Sequence, residues 1–550
     1  MQVPGKNVGA AFSEALALYR RGQAPDAIER CERILAAQGD YAPARRLLAA
    51  IFLDRKDGSA AAGHLNALLS DHPGDAGLHH GLGQALALAG RGSEAVQHWR
   101  RALEIDPALT AASLALAKVW LDDNRPGDAE IVLRDALTAA PDDVALLNNL
   151  GSLLAQHGDP AEGARLLERV VRHNDESPVA HYNLANALKE CQEPARAVEH
   201  YRRAAQLQPS LHGAWKNLGN LLIDMGRVDQ AAEAYDAAFQ VRRRPDGPAQ
   251  PPENFSRTSR TKLQHDIEQL EYLIDRNVLP CGARDTVAAY RSALENLPAS
   301  APGTHMVELP AEHRARLAPT YNRLVHRAPA PAMEGAAVSP SLDRGAIEGD
   351  YDRNAPGFTH VDGFLTPAAL ESLRRFCLES TIWYQFRYAN GYLGAFMDEG
   401  FCCPLLLQVA EELRRALPGI FKEYTLRKLW AFKYDSRLSG IPIHADFAAV
   451  NVNFWITPDS ALLDPDSGGL IFWDKEAPLH WDFETYNTDE PAIRQFLKES
   501  GARAVNVPHR QNRVVIFNSD LFHETGDIRF REGYENRRIN ITMLFGRRGE

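Results

Sequence analysis

Small residues recur every 34 positions through the N-terminal half of the chain. One column of alanine and glycine contains Ala27, Ala61, Ala95, Ala129, Gly163, Ala197 and Ala231. A second contains Ala49, Gly83, Ala117, Gly151, Ala185 and Gly219, and a third contains Pro73, Pro107, Pro141 and Pro209, with Asp175 in the missing place. Closely packed helices need small residues at their contact, and proline ends a helix. The pattern predicts an all-α solenoid of about seven helical pairs over residues 8–245.

The C-terminal part of the chain shows a different pattern, in which short apolar and aromatic runs are broken by Gly, Pro, Asp and Asn. The candidate strands are 429–434, 450–456, 469–473, 504–507, 514–517 and 539–545. Amphipathic helices are predicted at 368–378 and 405–417. Many short strands of this kind predict a β-rich double-sheet domain of jelly-roll type, with flanking helices.

The segments between these two regions differ in composition from both. Residues 246–260 are rich in proline and predict a linker. Residues 261–327 predict two or three helices that cap the solenoid, and residues 328–354 predict a second linker. The final domain is predicted to span residues 355–550.

Composition and charge limit the class of protein. Hydrophobic residues make up 45% and charged residues 24% of the 550 residues, which is typical of a soluble globular protein. The net charge of −11 argues against a nucleic-acid or anionic-membrane partner. The six cysteines form no CxxC pair, and the N-terminus lacks the apolar segment of a signal peptide. These features predict a cytoplasmic protein with reduced thiols.

Five His-x-Asp triplets are candidates for two ligands of a metal ion. They are His157/Asp159, His173/Asp175, His360/Asp362, His444/Asp446 and His480/Asp482. The first two fall in turns of the helical repeats, and His360 falls at the end of a predicted strand, whereas His444 lies between two β-rich runs. Residues i and i+2 of a strand point to the same side, so His444 and Asp446 can share one metal ion. His480/Asp482, after a Gly-Gly strand, remains the alternative.

A second histidine, His523, follows the apolar strand at 514–517 and completes a candidate ligand set. Two imidazoles and one carboxylate occupy one face of an octahedral metal ion and leave three positions open. This is the ligand set of non-heme Fe(II) oxygenases. The sequence therefore predicts an iron site formed by His444, Asp446 and His523.

The N-terminal half resembles tetratricopeptide repeats, because the runs 147–151, 182–185 and 215–219 match the first helix of that family. The resemblance implies a concave groove that binds a protein or peptide. Asn149, Asn183 and Asn217 share one helix face, and a side-chain amide offers a peptide unit both a donor and an acceptor. Asparagine is also simply common at this repeat position, so the column alone leaves peptide binding open.

The order of motifs over residues 355–550 resembles the Fe(II)/2-oxoglutarate-dependent dioxygenases, especially the prolyl-4-hydroxylase-like branch. An aromatic strand, the His-Ala-Asp triplet, Gly468-Gly469, a second histidine and an arginine-bearing strand follow one another. The resemblance implies Fe(II) on His444, Asp446 and His523, with 2-oxoglutarate and dioxygen as co-substrates. It places His480 too late in the chain for the first motif.

The resemblance also implies residues that bind 2-oxoglutarate. Arg538 matches the arginine that pairs with the distal carboxylate, with Arg537 as the alternative if the strand register shifts by one residue. Asn540 shares the face of Arg538, and Tyr434 stands where some members have a tyrosine that touches the co-substrate. An insertion at 475–503 is predicted to form a lid.

The expected function is hydroxylation of a C–H bond in a protein or peptide that the repeats recruit. Asp446 favours hydroxylation over halogenation, since related halogenases have a small residue at that position. Two alternatives stay open. One is an oxygenase for a small molecule or glycan precursor, with repeats used for assembly, and the other is a non-catalytic repeat scaffold.

Overall fold

The structure is a computed structural model that describes residues 8–244, 255–298, 306–388, 391–435 and 440–549. The chain divides into two compact units, residues 1–207 and 208–550. Part of the predicted linker 246–260 lies outside the described residues.

The first unit is all-α, as the 34-residue period predicts. Its described helices are α1 (Val8–Arg20), α2 (Ala24–Ala37), α3 (Ala42–Asp54), α4 (Gly58–Asp71), α5 (Ala76–Leu88), α6 (Gly92–Ile105), α7 (Thr110–Asp122), α8 (Pro126–Ala139), α9 (Val144–His157), α10 (Pro160–His173), α11 (Pro178–Glu190) and α12 (Pro194–Leu207). A Cβ atom on Gly151 would lie 2.7 Å from the Leu167 Cγ, and one on Gly83 would lie 2.5 Å from the Trp99 Nε1. The small residues therefore let paired helices approach each other closely.

The second unit begins with the last helical pair, α13 (His212–Asp224) and α14 (Val228–Arg243). Its other elements, in chain order, are β1 (Arg257–Thr258), α15 (Arg260–Asp275), α16 (Arg284–Glu295), β2 (Val307–Glu308), α17 (Ala311–Leu317), α18 (Arg344–Arg353), β3 (Phe358–Val361), α19 (Pro367–Glu379), β4 (Leu393–Phe396), α20 (Pro404–Ala416), α21 (Pro418–Phe421), β5 (Leu426–Tyr434), β6 (Val450–Trp455), β7 (Leu470–Glu476), α22 (Phe483–Asn487), α23 (Glu490–Glu499), β8 (Ala504–Val507), β9 (Val514–Asn518), β10 (Leu521–Thr525) and β11 (Arg538–Phe545).

Two antiparallel sheets form the β-rich core of this unit. The larger has the order β3-β9-β6-β11-β5-β4, and the smaller has the order β10-β7-β8. The described strands do not close into a single sheet, so the structure confirms a β-rich region and leaves the jelly-roll assignment as a prediction. Strand β11 is central in the larger sheet because it pairs with both β5 and β6.

A buried ion pair joins the last helical pair to the β-rich core. The Arg243 Nη2 lies 2.9 Å from the Glu399 Oε1, and both side chains are at most 8% exposed. The Arg243 guanidinium also lies over the Tyr384 ring, at 4.1 Å. Helix α14 is therefore an integral part of the second unit.

Helix α15, one of the helices predicted as a solenoid cap, packs against α19 of the second unit. Gln269, on α15, donates hydrogen bonds to the carbonyl oxygens of Leu378 and Ser380, at 3.1 and 2.9 Å. The segment 328–354 differs from the predicted linker, because it contains α18 and buries Ala337 and Val338. Glu412 accepts hydrogen bonds from the backbone N–H groups of these two residues, and this contact holds the segment against α20.

Candidate metal centre

The loop between β5 and β6 carries His444 and Asp446, and backbone hydrogen bonds join it to β10. The His444 N–H donates to the His523 carbonyl at 3.0 Å, and the His523 N–H donates to the His444 carbonyl at 2.8 Å. The Asp446 N–H donates to the Ser519 carbonyl, also at 3.0 Å. These bonds bring together two segments that are 79 residues apart in sequence.

The side chains of His444, Asp446 and His523 converge on one point. Each offers a ligand atom, and these atoms all lie within 4.8 Å of one another. The His523 Nε2 is 3.7 Å from the Asp446 Oδ2. Asp446 and His523 are 6% and 4% exposed, whereas His444 is half-buried and forms the open side of the cluster. Two imidazoles and a carboxylate at this spacing suit a divalent transition metal.

Backbone carbonyls fix the tautomer of both histidines. The His444 Nδ1 lies 2.8 Å from the Pro442 carbonyl oxygen, and the His523 Nδ1 lies 3.0 Å from that of Leu521. A carbonyl oxygen only accepts, so each Nδ1 carries the proton. Each Nε2 of the neutral rings therefore keeps a lone pair for a metal ion.

Burial controls the charge of this cluster. Desolvation lowers the pKa of His523 well below its usual range, and the neighbouring His444 lowers it further. Desolvation also raises the pKa of Asp446, while His444 and a hydrogen bond from Asn451 oppose that rise. A neutral imidazole is the form that binds metal, and a bound cation would favour the ionised carboxylate.

The rival triplet takes no part in this cluster. His480 is exposed in a turn, and the Asp482 side chain caps α22 by accepting from the Thr485 N–H at 2.8 Å. Asp362 pairs instead with Arg510 and Arg513, at 2.7 and 2.6 Å. Among the described residues, His444, Asp446 and His523 form the one group of three potential ligands.

Arg538 is the first residue of β11, Arg537 directly precedes the strand, and the two side chains have different environments. Arg537 pairs with Glu268 at 2.8 Å and with Asp435 at 3.2 Å. Arg538 is 1% exposed, and its Nε donates to the Gly468 carbonyl. The Nη1 and Nη2 of Arg538 have no hydrogen-bond partner among the described residues. Arg538 therefore has donors available for an anion, whereas Arg537 already neutralises two carboxylates.

Tyr434 lies beside Arg538, and Asn540 is two residues further along β11, on the same side of the strand as Arg538. Tyr434 pairs with Arg538 in the register of β5 and β11, and the guanidinium lies 4.8 Å from the Tyr434 ring centroid. Burial lowers the pKa of Arg538 and raises that of Tyr434, and the proximity of the two groups opposes both shifts. The Oδ1 of Asn540 lacks a partner among the described residues. Buried polar groups without a partner need an explanation, and a bound ligand would supply one.

Gly469 allows the backbone beside Arg538 to pack closely. A Cβ atom at this position would lie 1.8 Å from the Val507 carbonyl oxygen. Gly468, which presents its carbonyl to Arg538, has a φ of +73° that favours glycine. The double glycine thus has a structural reason, which is the close packing of the backbone beside Arg538.

The insertion at 475–503 is attached to the ligand loop. The Ala445 N–H donates to the Tyr486 carbonyl at 2.9 Å, and the Asn487 Nδ2 donates to the Ala445 carbonyl at 2.8 Å. Ala445 stands between His444 and Asp446. The insertion therefore binds the backbone between the two candidate metal ligands. Its role as a lid stays a prediction.

Several residues at the site were missed by the sequence analysis. Asn451 and Asn453 are buried on β6, and Trp455 is fully buried with an Nε1 that has no partner among the described residues. The available signal was the alternation of asparagine with apolar residues at 450–455, since asparagine is depleted in strands.

The predicted asparagine column lies on successive first helices of the repeats. The Asn149 Nδ2 donates to the carbonyl of Ala145 in its own helix, at 2.9 Å. The Asn183 Nδ2 donates to the Asn148 Oδ1 of the preceding repeat, also at 2.9 Å. At least two members therefore use a donor within the solenoid, and a bound peptide would compete for those donors.

Comparison with known families confirms the repeats. Models of the tetratricopeptide repeat family match residues 12–76, 57–110 and 148–212, and two further models with the same description match 86–153 and 214–249. The N-terminal half of the chain therefore consists of tetratricopeptide repeats.

A curated relative and several solved structures are similar to part of the chain. The type IV pilus assembly protein PilF of Pseudomonas aeruginosa is 29% identical over 173 residues, which cover 31% of this chain and 68% of the relative. A structure of P. aeruginosa PilF is 23% identical, with a TM-score of 0.28, and covers 41% of this chain and 93% of its own. A structure of MamA is 21% identical, with a TM-score of 0.27, and covers 29% and 93%. Among the described residues, no helix combines the length and apolar character that a membrane crossing needs.

Proposed function

We propose that this protein is an Fe(II)- and 2-oxoglutarate-dependent dioxygenase that hydroxylates a C–H bond in a polypeptide recruited by its repeats. The observation that carries the proposal is the convergence of His444, Asp446 and His523 within 4.8 Å. Both histidines turn a lone-pair nitrogen to the centre because backbone carbonyls hold their Nδ1 protons. A surface cluster of acidic groups would lack hydrogen bonds that orient its ligand atoms in this way.

The chain's own residues would bind and orient the reactants. When bound by this triad, Fe(II) with 2-oxoglutarate and dioxygen supplies C–H oxidation, which yields the hydroxylated product, succinate and carbon dioxide. His444 and His523 hold the metal ion as neutral ligands, and Asp446 supplies a negative charge. Burial of Asp446 and His523 excludes water from one side of the centre, and the half-buried His444 leaves the other side accessible.

Arg538 supports the choice of co-substrate. An isolated buried charge costs several kcal/mol, and proteins normally pair such a charge. A carboxylate that accepts from Nη1 and Nη2 would satisfy both nitrogens in a bidentate contact. Tyr434, beside Arg538, offers a hydroxyl to the same ligand. A dicarboxylate fits these groups, with one carboxylate on the arginine and the other end on the metal ion.

The two sheets fit the double-stranded β-helix of this enzyme class. Strand β10 of the smaller sheet supplies His523, and β11 of the larger sheet supplies Arg538. A site between two facing sheets explains how residues far apart in sequence meet. The jelly-roll assignment is part of this proposal.

A polypeptide substrate is favoured by the repeats. Helical repeats of this kind form extended binding surfaces and rarely carry out chemistry themselves. The fusion of such repeats to a candidate oxygenase therefore fits recruitment of a protein or peptide. A replacement of Asn149, Asn183 and Asn217 by alanine should weaken the turnover of a polypeptide substrate, and should leave turnover of a small-molecule substrate unchanged.

A second candidate is a non-catalytic repeat scaffold. The matching family models cover residues 12–249, and the similar curated protein is a pilus assembly protein. In this case the repeats would carry the whole function, and the C-terminal region would be a degenerate oxygenase fold.

One experiment separates the two candidates. Fe(II) and then 2-oxoglutarate are added without oxygen, and the visible metal-to-ligand charge-transfer band is recorded for the wild type, His444→Ala, His480→Ala and Arg538→Ala. The proposal expects a band in the wild type and in His480→Ala, the exposed control, and its loss in His444→Ala. A wild type without any band would favour the scaffold.

A further inference from the structure

A row of buried side chains connects Asp446 to β11. The Asn451 Nδ2 donates to the Asp446 Oδ2, and the Asn453 Nδ2 donates to the Asn451 Oδ1 at 2.6 Å. The Asn453 Oδ1 accepts from the Asn540 Nδ2 at 2.6 Å and from the Thr542 Oγ1 at 2.7 Å. All five side chains are at most 6% exposed, so no bulk water competes for these bonds.

The strand geometry explains why these residues form a chain. Asn451 and Asn453 are two residues apart on β6, so their side chains share one face of the sheet. Thr542 is the partner of Asn453 in the register of β6 and β11. The row thus runs along one strand and then crosses to the strand that carries Arg538.

The chemistry of the carboxylate sets the direction of every bond. An ionised Asp446 only accepts, so Asn451 must turn its NH₂ group to it and its Oδ1 to Asn453. Asn453 must then donate to Asn451 and accept from β11. Each amide has one orientation that satisfies its neighbours, and hydrogen bonds aligned in this way strengthen one another in a buried setting.

We propose that Asn451 and Asn453 are positioning residues that hold the Asp446 carboxylate in its metal-binding orientation. This inference rests on the proposed function, because it assigns a purpose to Asp446 as a ligand. Asn451 supplies the one side-chain hydrogen bond that Asp446 receives within the described residues. Asn453 acts through Asn451 and has no contact with the ligand itself.

The test measures the affinity for Co(II), a metal with a visible spectrum, in the full-length protein. Partners of a metal ligand typically change affinity by about 10–100-fold when removed. Asn451→Leu, which keeps the approximate side-chain size, should therefore weaken Co(II) binding by about 10–100-fold. Asn453→Leu should weaken it by roughly threefold or more, since its effect passes through Asn451. Both should alter the absorption bands of bound Co(II).

Thr457→Val is the matched control. Thr457 is fully buried next to β6, and it binds the backbone of Arg537 and Ile539 at 3.0 and 2.8 Å, outside the row. The variant Thr457→Val should lower the thermal midpoint, as the asparagine variants do. Its affinity for Co(II) should stay within twofold of the wild-type affinity. This comparison separates positioning from general loss of stability.

Three outcomes would overturn the inference. If wild type binds Co(II) and Asn451→Leu binds it equally well, the positioning role is wrong and the proposed function stands. If Thr457→Val weakens binding as much as Asn451→Leu, the effect comes from the stability of the fold. If the wild type takes up no Co(II), both the inference and the proposed function fail.

Discussion

The two units of the chain bury very different side chains. Of the 31 buried polar or charged residues among those described, Ser113 and His181 lie in the first unit and the other 29 lie in the second. The repeats are held together by alanine, glycine and leucine, and their ion pairs lie on the surface. Buried polar groups cost free energy unless they are paired. The second unit carries most of that cost, both around the candidate site and in α15, which buries Lys262, His265 and Asp266.

The largest expected effect is the loss of the metal ion when a ligand is removed. Asp446→Ala deletes the one carboxylate of the triad and should abolish Fe(II) binding, with a loss of roughly 100-fold or more in affinity. Anaerobic Fe(II) titration measures this change. The repeats should keep their helical circular dichroism signal, because Asp446 lies in the other unit.

A control for this variant is His480→Ala, which removes an exposed imidazole from the same unit. Its Fe(II) affinity should equal that of the wild type. Equal losses in both variants would assign the metal site to a different part of the chain.

The next largest effect tests whether the last helical pair belongs to the second unit. Glu399→Ala leaves the buried Arg243 without its carboxylate partner. Removal of one partner of a buried ion pair costs about 3–5 kcal/mol. Thermal unfolding should show a lower midpoint for the transition of the second unit.

The matched variant is Glu490→Ala, which breaks an exposed i,i+4 pair with Arg494. Exposed pairs of this kind contribute about 0.3–0.5 kcal/mol. If the two variants unfold at the same temperature, the buried Arg243–Glu399 pair contributes no more to stability than an exposed pair.

Arg538 should show opposite effects on stability and on ligand binding. Arg538→Met removes a buried cation that has no anionic partner among the described residues, and apolar replacement of buried ionic groups often stabilises a protein by about 1–4 kcal/mol. The same variant should lose the 2-oxoglutarate-dependent stabilisation that the wild type shows in a thermal shift assay. An unchanged response to 2-oxoglutarate would remove Arg538 from the binding site.

A change in the repeats should affect stability alone. Gly151→Ala would place a Cβ 2.7 Å from the Leu167 Cγ and 3.1 Å from the Gly163 carbonyl oxygen. Overpacking of this kind costs about 1–3 kcal/mol. The midpoint of the helical transition should fall while Fe(II) affinity stays constant, and a drop in affinity would show that the two units are coupled.

The smallest effect concerns the pH dependence of the second unit. Burial lowers the pKa of Lys433 well below its usual range, and its Nζ donates to the Cys377 carbonyl and the Tyr534 hydroxyl. Between the folded pKa and the unfolded value near 10.5, the unfolded chain binds more protons, so stability rises with pH. Denaturant unfolding at several pH values should show that the free energy of unfolding of Lys433→Met changes less with pH over this range than that of the wild type.

Much of the fold follows from local patterns in the sequence. The 34-residue period placed the repeats, and the predicted strand 504–507 coincides with β8. The predicted strand 539–545 matches β11 within one residue, and the helix 405–417 matches α20 to within one residue at each end. Strands β4 and β10 were missed, because they are only four and five residues long.

The candidate site was predictable as a set of residue types, and its environment was not. The sequence places His444 and Asp446 two residues apart, and the structure puts them in the loop between β5 and β6 and not on the strand that the pattern predicts. Arg537 and Arg538 differ because adjacent residues of an extended chain point in opposite directions, so their side chains meet different neighbours. Glu268, which pairs with Arg537, lies 269 residues away in the chain. No local pattern reveals such a contact.

The sequence by itself determined the helical repeats, the β-rich region and the residue types of the candidate metal ligands, because periodicity and side-chain chemistry act over a few neighbouring residues. The tertiary structure decided that the last helical pair belongs to the second unit and that segment 328–354 is packed. It also decided that Arg537, and not Arg538, pairs with carboxylates among the described residues, and how Asn451 and Asn453 reach Asp446. These features depend on contacts across strands and between distant segments, where burial sets the energy of each polar group.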